Sequence, residues 1–596
     1  MKRLLVVGGA SIDVLHLEGR TVTCAGGTGL YTALAARRCG VSVSMLSPRP
    51  DPCPDHLKPV AGLLSEWLGP VVSPNQLQQF EISYRGGKSE YLNVSLGAEE
   101  MISPEMLPVD LSEYDLVHVI CLENAQRQLS FIQACRQRGA KQISAGTRPG
   151  DAIENIGVVL AVIEQSDYFF MEEPDATAVF GSIESASTEP GKVLYITMGT
   201  LGVCIIQGDA LTVIPAVPAT LLDPTGAGDA FCGAALAYLL QAVHPIMAAH
   251  QASALVAEMI GHAGPAALML DDPPPGMALD ARVQVNGGQV RKVAEIVPTL
   301  SEASPYPFVS PELPPVGHPR TLDYFFVATL QQFSFWTERD NRYDQPLIAK
   351  ISGVELKGSD YLWEAFRRRL EQDEDFCSPE RQASLSREEL LEVFRADDGE
   401  DPMPALDLHL EQAQQYGRDM LALQLTPQTV LQKALASTQP LQTFLVTLDH
   451  VGGYKEDPIR KKSLLLALIL NARPETFFPL RDDEEIAPIA DYHLMRICLR
   501  TGMIDVLDSE LVTKLADRQI ISPAEEWAVR YPAYLALEEL LMLSGTSLSA
   551  VNNLLFTSAR KRCFEMTEPQ CRLCPLDSVC AHRREMFQPV MRTSFY

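Results

Sequence analysis

The segment that most constrains this chain is a β-branched run, a glycine turn and an apolar helix in succession. Thr212-Val213-Ile214 comes first, then Asp223-Pro224-Thr225-Gly226-Ala227-Gly228-Asp229-Ala230-Phe231, then a helical apolar stretch over 232–242. This order predicts a strand-to-helix turn at Gly226, Ala227 and Gly228. Unpaired backbone N–H groups and the positive end of the helix dipole converge at such a turn, so it binds an anion. Asp229 sits where it can take a proton from a hydroxyl beside that anion. An aspartate there also serves as plain helix capping. A phosphate site with its own carboxylate base implies phosphoryl transfer.

The surrounding residues alternate strand and helix. Strands are expected at 2–7, 41–46, 116–121, 142–144, 168–170 and 193–197. Helices are expected at 30–38, 125–138 and 152–165, giving a doubly wound α/β sheet. Residues 80–94 break the rhythm and predict a hairpin turning at Arg85-Gly86-Gly87-Lys88, outside the sheet and placed to cover a site. With 596 residues, the chain is too long for a single core. Proline-rich residues 269–320 predict a linker. From 321 onward the alternation stops, and helical spacing at 361–371, 387–395, 406–421, 429–434, 461–470, 493–499, 509–515 and 533–543 predicts an all-α second half.

Acidity is shared evenly. Residues 1–290 carry 16 Lys and Arg against 30 Asp and Glu, and residues 291–596 carry 33 against 46. A duplex nucleic-acid binder needs a basic face to displace counterions, so small molecules are the expected ligands. No apolar run reaches membrane length. The thirteen cysteines, spread thinly and odd in number, do not describe a secreted disulfide scaffold. A cytoplasmic protein is expected.

The first half resembles the PfkB (ribokinase-like) carbohydrate and nucleoside kinases over residues 1–268. Gly26-Gly27-Thr28-Gly29-Leu30-Tyr31-Thr32-Ala33 is similar to that family's first signature, and 223–231 to its second. The resemblance implies that Gly226, Ala227 and Gly228 form the anion hole and that Asp229 is the base. It also implies that Asp13 binds a substrate hydroxyl, with Gly26 and Gly27 beside it. Thr197, Gly199 and Gly202 would line the nucleotide, and the 80–94 hairpin would be the lid. ATP and Mg²⁺ follow as cofactors, and a homodimer through the lid is open to the family. The family's Asn-x-x-Glu magnesium motif departs here to Glu172-Glu173-Pro174-Asp175, keeping carboxylates at Glu172 and Asp175 but not the amide.

In the second half, four cysteines lie within 18 residues as Cys563-x7-Cys571-x2-Cys574-x5-Cys580, a spacing that implies a metal site. Its ending resembles the loop of endonuclease III-type DNA glycosylases, apart from one extra residue in the first gap. That resemblance implies a structural four-iron four-sulfur cluster; structural Zn²⁺ and unmetallated thiols are the other readings.

Residues 321–596 resemble the queuosine salvage proteins, a helical family related in fold to DNA glycosylases. The resemblance rests on Leu330-Gln331-Gln332-Phe333-Ser334-Phe335-Trp336-Thr337-Glu338, on Gly453-Tyr454-Lys455-Glu456-Asp457-Pro458 with Lys461-Lys462, on Ile489-Ala490-Asp491-Tyr492-His493 and on the ending Arg592-Thr593-Ser594-Phe595-Tyr596. Typical members lack the cysteine cluster. The resemblance implies release of queuine from queuosine 5'-monophosphate. Asp491 would stabilise the oxocarbenium-like transition state and activate water, or else simply cap the helix that follows it. Phe333, Phe335 and Trp336 offer flat faces for a base, Tyr454 joins them as a substrate contact, and Lys461 and Lys462 would meet a 5'-phosphate.

Together the halves predict a bifunctional salvage enzyme. The first would phosphorylate a modified nucleoside, queuosine or a related 7-deazaguanosine, at its 5'-hydroxyl. The second would hydrolyse the N-glycosidic bond of the product. Two other readings stay open: a kinase with a non-catalytic helical module, and an iron–sulfur DNA-repair glycosylase with a kinase-like accessory domain.

Overall fold

A computed structural model describes all residues except 18, 86–87, 123, 148–149, 278, 482 and 485. The chain divides into two compact units, Met1–Ala278 and Leu279–Tyr596.

The first unit is built on a nine-stranded sheet. Seven strands run parallel in the spatial order Val193–Thr197, Tyr168–Glu172, Ile143–Gly146, Leu116–Val119, Arg3–Val7, Ser42–Leu46 and Glu66–Leu68. Two antiparallel strands, Val203–Gln207 and Ala210–Ile214, extend the Val193–Thr197 edge. The central strands are buried on both faces, which explains their continuous apolar runs. Helices on both sides complete the doubly wound α/β fold expected from the alternation.

A second sheet of four strands, in the order Arg20–Gly26, Ser11–Leu17, Gln78–Arg85 and Lys88–Ser95, stands apart from the first. The sequence reading anticipated only its hairpin, whose tip at Gly86 and Gly87 lies outside the described residues. Ser11–Leu17 alternates buried and half-buried positions as a one-sided strand should. Its apolar face, Leu15, Leu17 and Ile82, packs against Leu222 and Ala263 and so holds the small sheet over the Asp223 region.

The Gly226 turn departs from expectation in one respect. The strand before it ends at Ile214, and residues 215–225 run as irregular chain before the helix Ala227–Leu240 begins. The turn is therefore held by side chains rather than by direct continuation of the strand.

The second unit is helix-rich, and the helices at Ser359–Gln372, Arg387–Phe394, Leu406–Ala422, Lys461–Ala472, Tyr492–Thr501 and Pro523–Ser544 overlap the predicted segments. Two hairpins and one short strand pair also occur there. The predicted 269–320 linker is corrected in part. Val283–Val285 pairs with Ile504–Val506, and Gly287–Ile296 is a helix. Val290, Val293 and Val297 recur at helical spacing and are buried in the core beside Leu494 and Ile497. Flanking prolines hid that short amphipathic pattern. Among the described residues, no helix is long and apolar enough to cross a membrane.

Candidate active sites and cysteine loop

In the first unit, the two glycine-bearing segments meet. Gly226 is left-handed (φ 73°, ψ 12°) at the N-terminus of the Ala227–Leu240 helix, and a Cβ there would lie 2.4 Å from Cγ of the Tyr31 ring. Only glycine takes that conformation readily and leaves room for the ring. Asp223 organises the turn: Oδ1 accepts from Thr225 N (3.0 Å) and Thr225 Oγ1 (2.6 Å), and Oδ2 accepts from Gly264 N (2.7 Å). Tyr84 of the small sheet reaches the same turn, its hydroxyl 3.2 Å from Thr225 Oγ1.

Asp229 lies in the first turn of the helix and is not its N-cap, a place taken by Gly226. Burial, with the Glu172 charge next, pushes its carboxyl up to about 8. Glu172 opens the helix Glu173–Phe180, and Asp175 in that helix accepts a hydrogen bond from Thr147 Oγ1 (2.8 Å). Asp13 is buried and accepts from Ser11 Oγ at 2.5 Å; burial pushes its carboxyl up to about 6. A Cβ on Gly26 would lie 1.9 Å from Asp13 Oδ2, so the glycine makes way for this carboxylate. Gly27 (φ 100°) starts the helix Thr28–Arg38 against the Gly9 carbonyl. Burial first, then the charges of Cys24, Asp223, Asp13 and Asp229, push the Tyr31 phenol well up, so these groups surround one ring. Thr197, Gly199 and Gly202 lie at the end of Val193–Thr197 and in the turn after it. Carboxylates of raised basicity beside an anion-binding turn suit deprotonation of a hydroxyl next to a phosphate.

The second unit contains a cavity of about 650 Å³. Gln332, Phe335, Lys461, Asp491, Tyr492 and His493 line one part of its wall; Lys357, Asp360, Asn552, Asn553, Thr557 and Arg560 line another. Asp491 caps the Tyr492–Thr501 helix, its Oδ1 accepting from Leu494 N at 2.9 Å. Burial raises its pKa while the Lys461 charge opposes that rise. Lys461 is drawn down to about 8 by burial and donates from Nζ to the Gln332 carbonyl (3.2 Å). A buried carboxylate facing an ammonium, with room beside it, suits stabilisation of a cationic sugar transition state.

The cavity leaves out four of the predicted contacts. Phe333 stacks on His409 at 4.2 Å in the interior, and Lys462 donates to the Leu330 carbonyl and lies over the Phe333 ring. Trp336 stacks on Tyr343 under the Arg592 guanidinium, and the Tyr454 hydroxyl donates to the Phe326 carbonyl. These are core and framework positions.

Residues 95–272 match the pfkB family carbohydrate kinases, and residues 313–539 match the queuosine salvage proteins. The chain carries a PfkB kinase domain followed by a queuosine salvage domain. The kinase domain is 22% identical over 246 residues to a cytidine kinase of Thermococcus kodakarensis, covering 40% of this chain and 88% of that protein. The salvage domain is 25% identical over 213 residues to the queuosine 5'-phosphate N-glycosylase/hydrolase of Mus musculus, covering 34% of this chain and 60% of that protein. The Burkholderia thailandensis nucleoside kinase solved with inosine matches 46% of this chain and 94% of its own, at 20% identity and TM-score 0.38.

The cysteine loop lies beyond the matched part of the salvage domain. Cys563, Cys571, Cys574 and Cys580 are unbridged, half-buried and line one small cavity of about 30 Å³. Burial pushes the Cys574 thiol up to about 11, and the other three sulfurs add to that rise. Four soft donors around a void fit a metal centre. Among the described residues, the one group of three ligand atoms within 4.8 Å of one another is Cys571, Asp577 and His582. Tyr31, Asp223 and Tyr84 lie in the two signatures and the hairpin but carry no individual role in the sequence reading, which misses Lys357 and Arg560 because isolated polar residues carry no spacing signal.

Proposed function

We propose that this protein phosphorylates a modified nucleoside at its 5'-hydroxyl and then releases the base from the monophosphate. In the kinase domain, Asp229 takes the hydroxyl proton, the alkoxide oxygen bonds to the γ-phosphorus of ATP, and ADP leaves. The N–H groups at Gly226, Ala227 and Gly228 neutralise the transferring phosphoryl group. Glu172 and Asp175 would hold Mg²⁺, which neutralises the phosphate chain when bound. Asp13, with Gly26 and Gly27, would receive the ribose hydroxyls, and Thr197, Gly199 and Gly202 the nucleotide.

In the salvage domain, Asp491 faces the anomeric carbon as the N-glycosidic bond breaks. It accepts a proton from the attacking water as the hydroxyl bonds to the anomeric carbon. The departing base takes up a proton from solvent, and Asp491 returns its proton to solvent, leaving free base and ribose 5-phosphate. Queuosine or a close 7-deazaguanosine is the substrate favoured by the similarity to the mouse hydrolase. The cytoplasm, where ATP is plentiful, is the compartment this reading requires.

The cysteine loop would hold a four-iron four-sulfur cluster in a structural role. The similarity of the Cys-x2-Cys-x5-Cys ending to the endonuclease III-type loop supports that choice over zinc.

The observation that carries the proposal is the presence in one chain of an anion turn with a raised carboxyl at Asp229 and a separate cavity with a buried carboxylate at Asp491. Purified protein, given ATP, Mg²⁺ and queuosine, should form the monophosphate first and free base afterwards by mass spectrometry. Equal release of base from unphosphorylated queuosine without ATP would sink the coupling.

A further inference from the structure

The charges on the cavity wall are not balanced where Lys461 and Lys462 were expected to meet a phosphate. Lys462 is turned into the core, and Lys461 is engaged with the Gln332 carbonyl and the Asp491 charge. Cations gather elsewhere. Arg560 projects from the helix Leu548–Lys561 and is held in a two-point pair with Asp360, at 2.7 and 3.2 Å. Lys357 Nζ lies 3.4 Å from Glu565 Oε2. Both side chains keep part of their surface open, 20% for Arg560 and 31% for Lys357, and both line the cavity.

Glu565 is the hub of this wall. It accepts from Tyr343 OH at 2.7 Å and also meets Arg496 (3.5 Å) and His493 (3.6 Å). Burial strongly disfavours charge on His493, leaving that imidazole neutral. Three cations, Lys357, Arg560 and the fully buried Arg496 behind them, meet two carboxylates, Glu565 and Asp360, while Lys561 and Glu312, which also line the cavity, offset each other. One positive charge is left over on a wall of low dielectric, where it is strongest. The same helix adds Asn552 and Asn553 to the cavity lining, whose amides donate to oxygen; one Asn553 N–H is taken by the Ser304 carbonyl, and the Thr557 hydroxyl donates to Asn553 Oδ1.

The geometry points to Lys357 and Arg560 as the subsite for the phosphate monoester of the substrate, with Asn552 and Asn553 as neutral donors beside it. This assignment rests on the hydrolytic reading of the cavity given above. Glu565 and Asp360 act as positioning residues: they fix the two cations so that a dianion meets them without reorganisation. Lys357 and Asp360 lie within the 313–539 family match, whereas Arg560 and its helix lie outside it.

The test uses the full-length protein and supplied queuosine 5'-monophosphate, with inorganic phosphate as a competitor. Lys357→Ala should raise KM for base release by tenfold or more while kcat changes less than threefold. Competitive inhibition by inorganic phosphate should weaken in parallel, and Lys357→Arg should restore both. Arg560→Gln should behave like Lys357→Ala. ATP-dependent phosphorylation and the melting profile report whether each variant is folded. Wild-type protein that releases no base from the monophosphate overturns the hydrolytic reading and this assignment together. Release by wild type, with KM and phosphate inhibition unchanged in folded Lys357→Ala and Arg560→Gln, overturns the subsite alone.

Discussion

The Tyr31 ring occupies the space that a side chain at Gly226 would need, with Cγ 2.4 Å from an ideal Cβ. One contact thus joins the two segments that lie nearly two hundred residues apart in the kinase domain. It shapes the turn that would receive the phosphate. Gly226→Ala should strain the left-handed residue and displace the ring together. The expected loss in phosphorylation is about 100-fold or more, the scale of removing one preorganised donor. Release of base from supplied monophosphate, measured in the same preparation, should be unaffected.

The raised carboxyl of Asp229 sets a pH dependence. A general base works in its deprotonated form, so kcat/KM for phosphorylation should rise with pH and level off above an apparent value of about 8. Asp229→Ala should remove both the activity and the profile. A flat profile between pH 6 and 9, with chemistry rate-limiting, would count against Asp229 as the base.

Asp491 does two things at once: it caps a helix through Oδ1 and presents a carboxylate to the cavity. Asp491→Asn keeps an oxygen for the cap and removes the charge. Its melting temperature should stay near that of the wild type, while monophosphate accumulates and base release falls by at least 100-fold. Asp491→Ala should lose the activity and, in addition, about 1 kcal/mol of stability, the usual value of a cap. Comparing the two by thermal unfolding and product analysis separates the roles.

Arg530 and Asp457 form a buried ion pair at 2.8 Å, and Asp457 Oδ2 also accepts the Lys461 backbone N–H. The guanidinium lies under the Phe595 and Tyr596 rings. Asp457→Ala would leave Arg530 with only the more distant Glu526 (3.8 Å) as its carboxylate partner, and losing one partner of a buried pair costs up to roughly 3–5 kcal/mol. Denaturant unfolding of the salvage domain should show that loss, with the kinase transition unchanged.

For the cysteine loop, iron, sulfide and zinc analysis of anaerobically purified protein should return about four irons per chain, the stoichiometry of the proposed four-iron four-sulfur cluster. Removing the metal should lower the melting temperature of the salvage domain, since Arg500 ties the Cys563 sulfur and the Phe564 carbonyl to the Asp491-bearing helix. One zinc and no iron would replace the cluster in this account.

Much of this was legible before any coordinates. The parallel strands announce themselves as continuous apolar runs because both faces of a covered sheet are dry. The helices of the second unit show helical spacing because each buries one side. Other elements left little trace. Gly287–Ile296 has only Val290, Val293 and Ala294 on its buried face and is flanked by prolines, so its pattern reads as linker. Ser11–Leu17 and Arg20–Gly26 pair mainly with each other and a hairpin, and half-buried strands carry a weaker signal.

By itself, the sequence determined the local chemistry: a glycine turn ahead of an apolar helix, a carboxylate in its first turn, four thiols within 18 residues, and the boundary between an alternating half and a helical one. These follow from backbone freedom, hydrophobic period and donor type, all short-range properties. Tertiary structure alone decided which side chains share a cavity. It sent Phe333, Trp336, Tyr454 and Lys462 into the core, kept Phe335, Lys461 and Asp491 on the wall, and brought Lys357 and Arg560 to face them. Adjacent residues on a helix or turn point in different directions, so neighbours in sequence such as Lys461 and Lys462 part company once the chain packs.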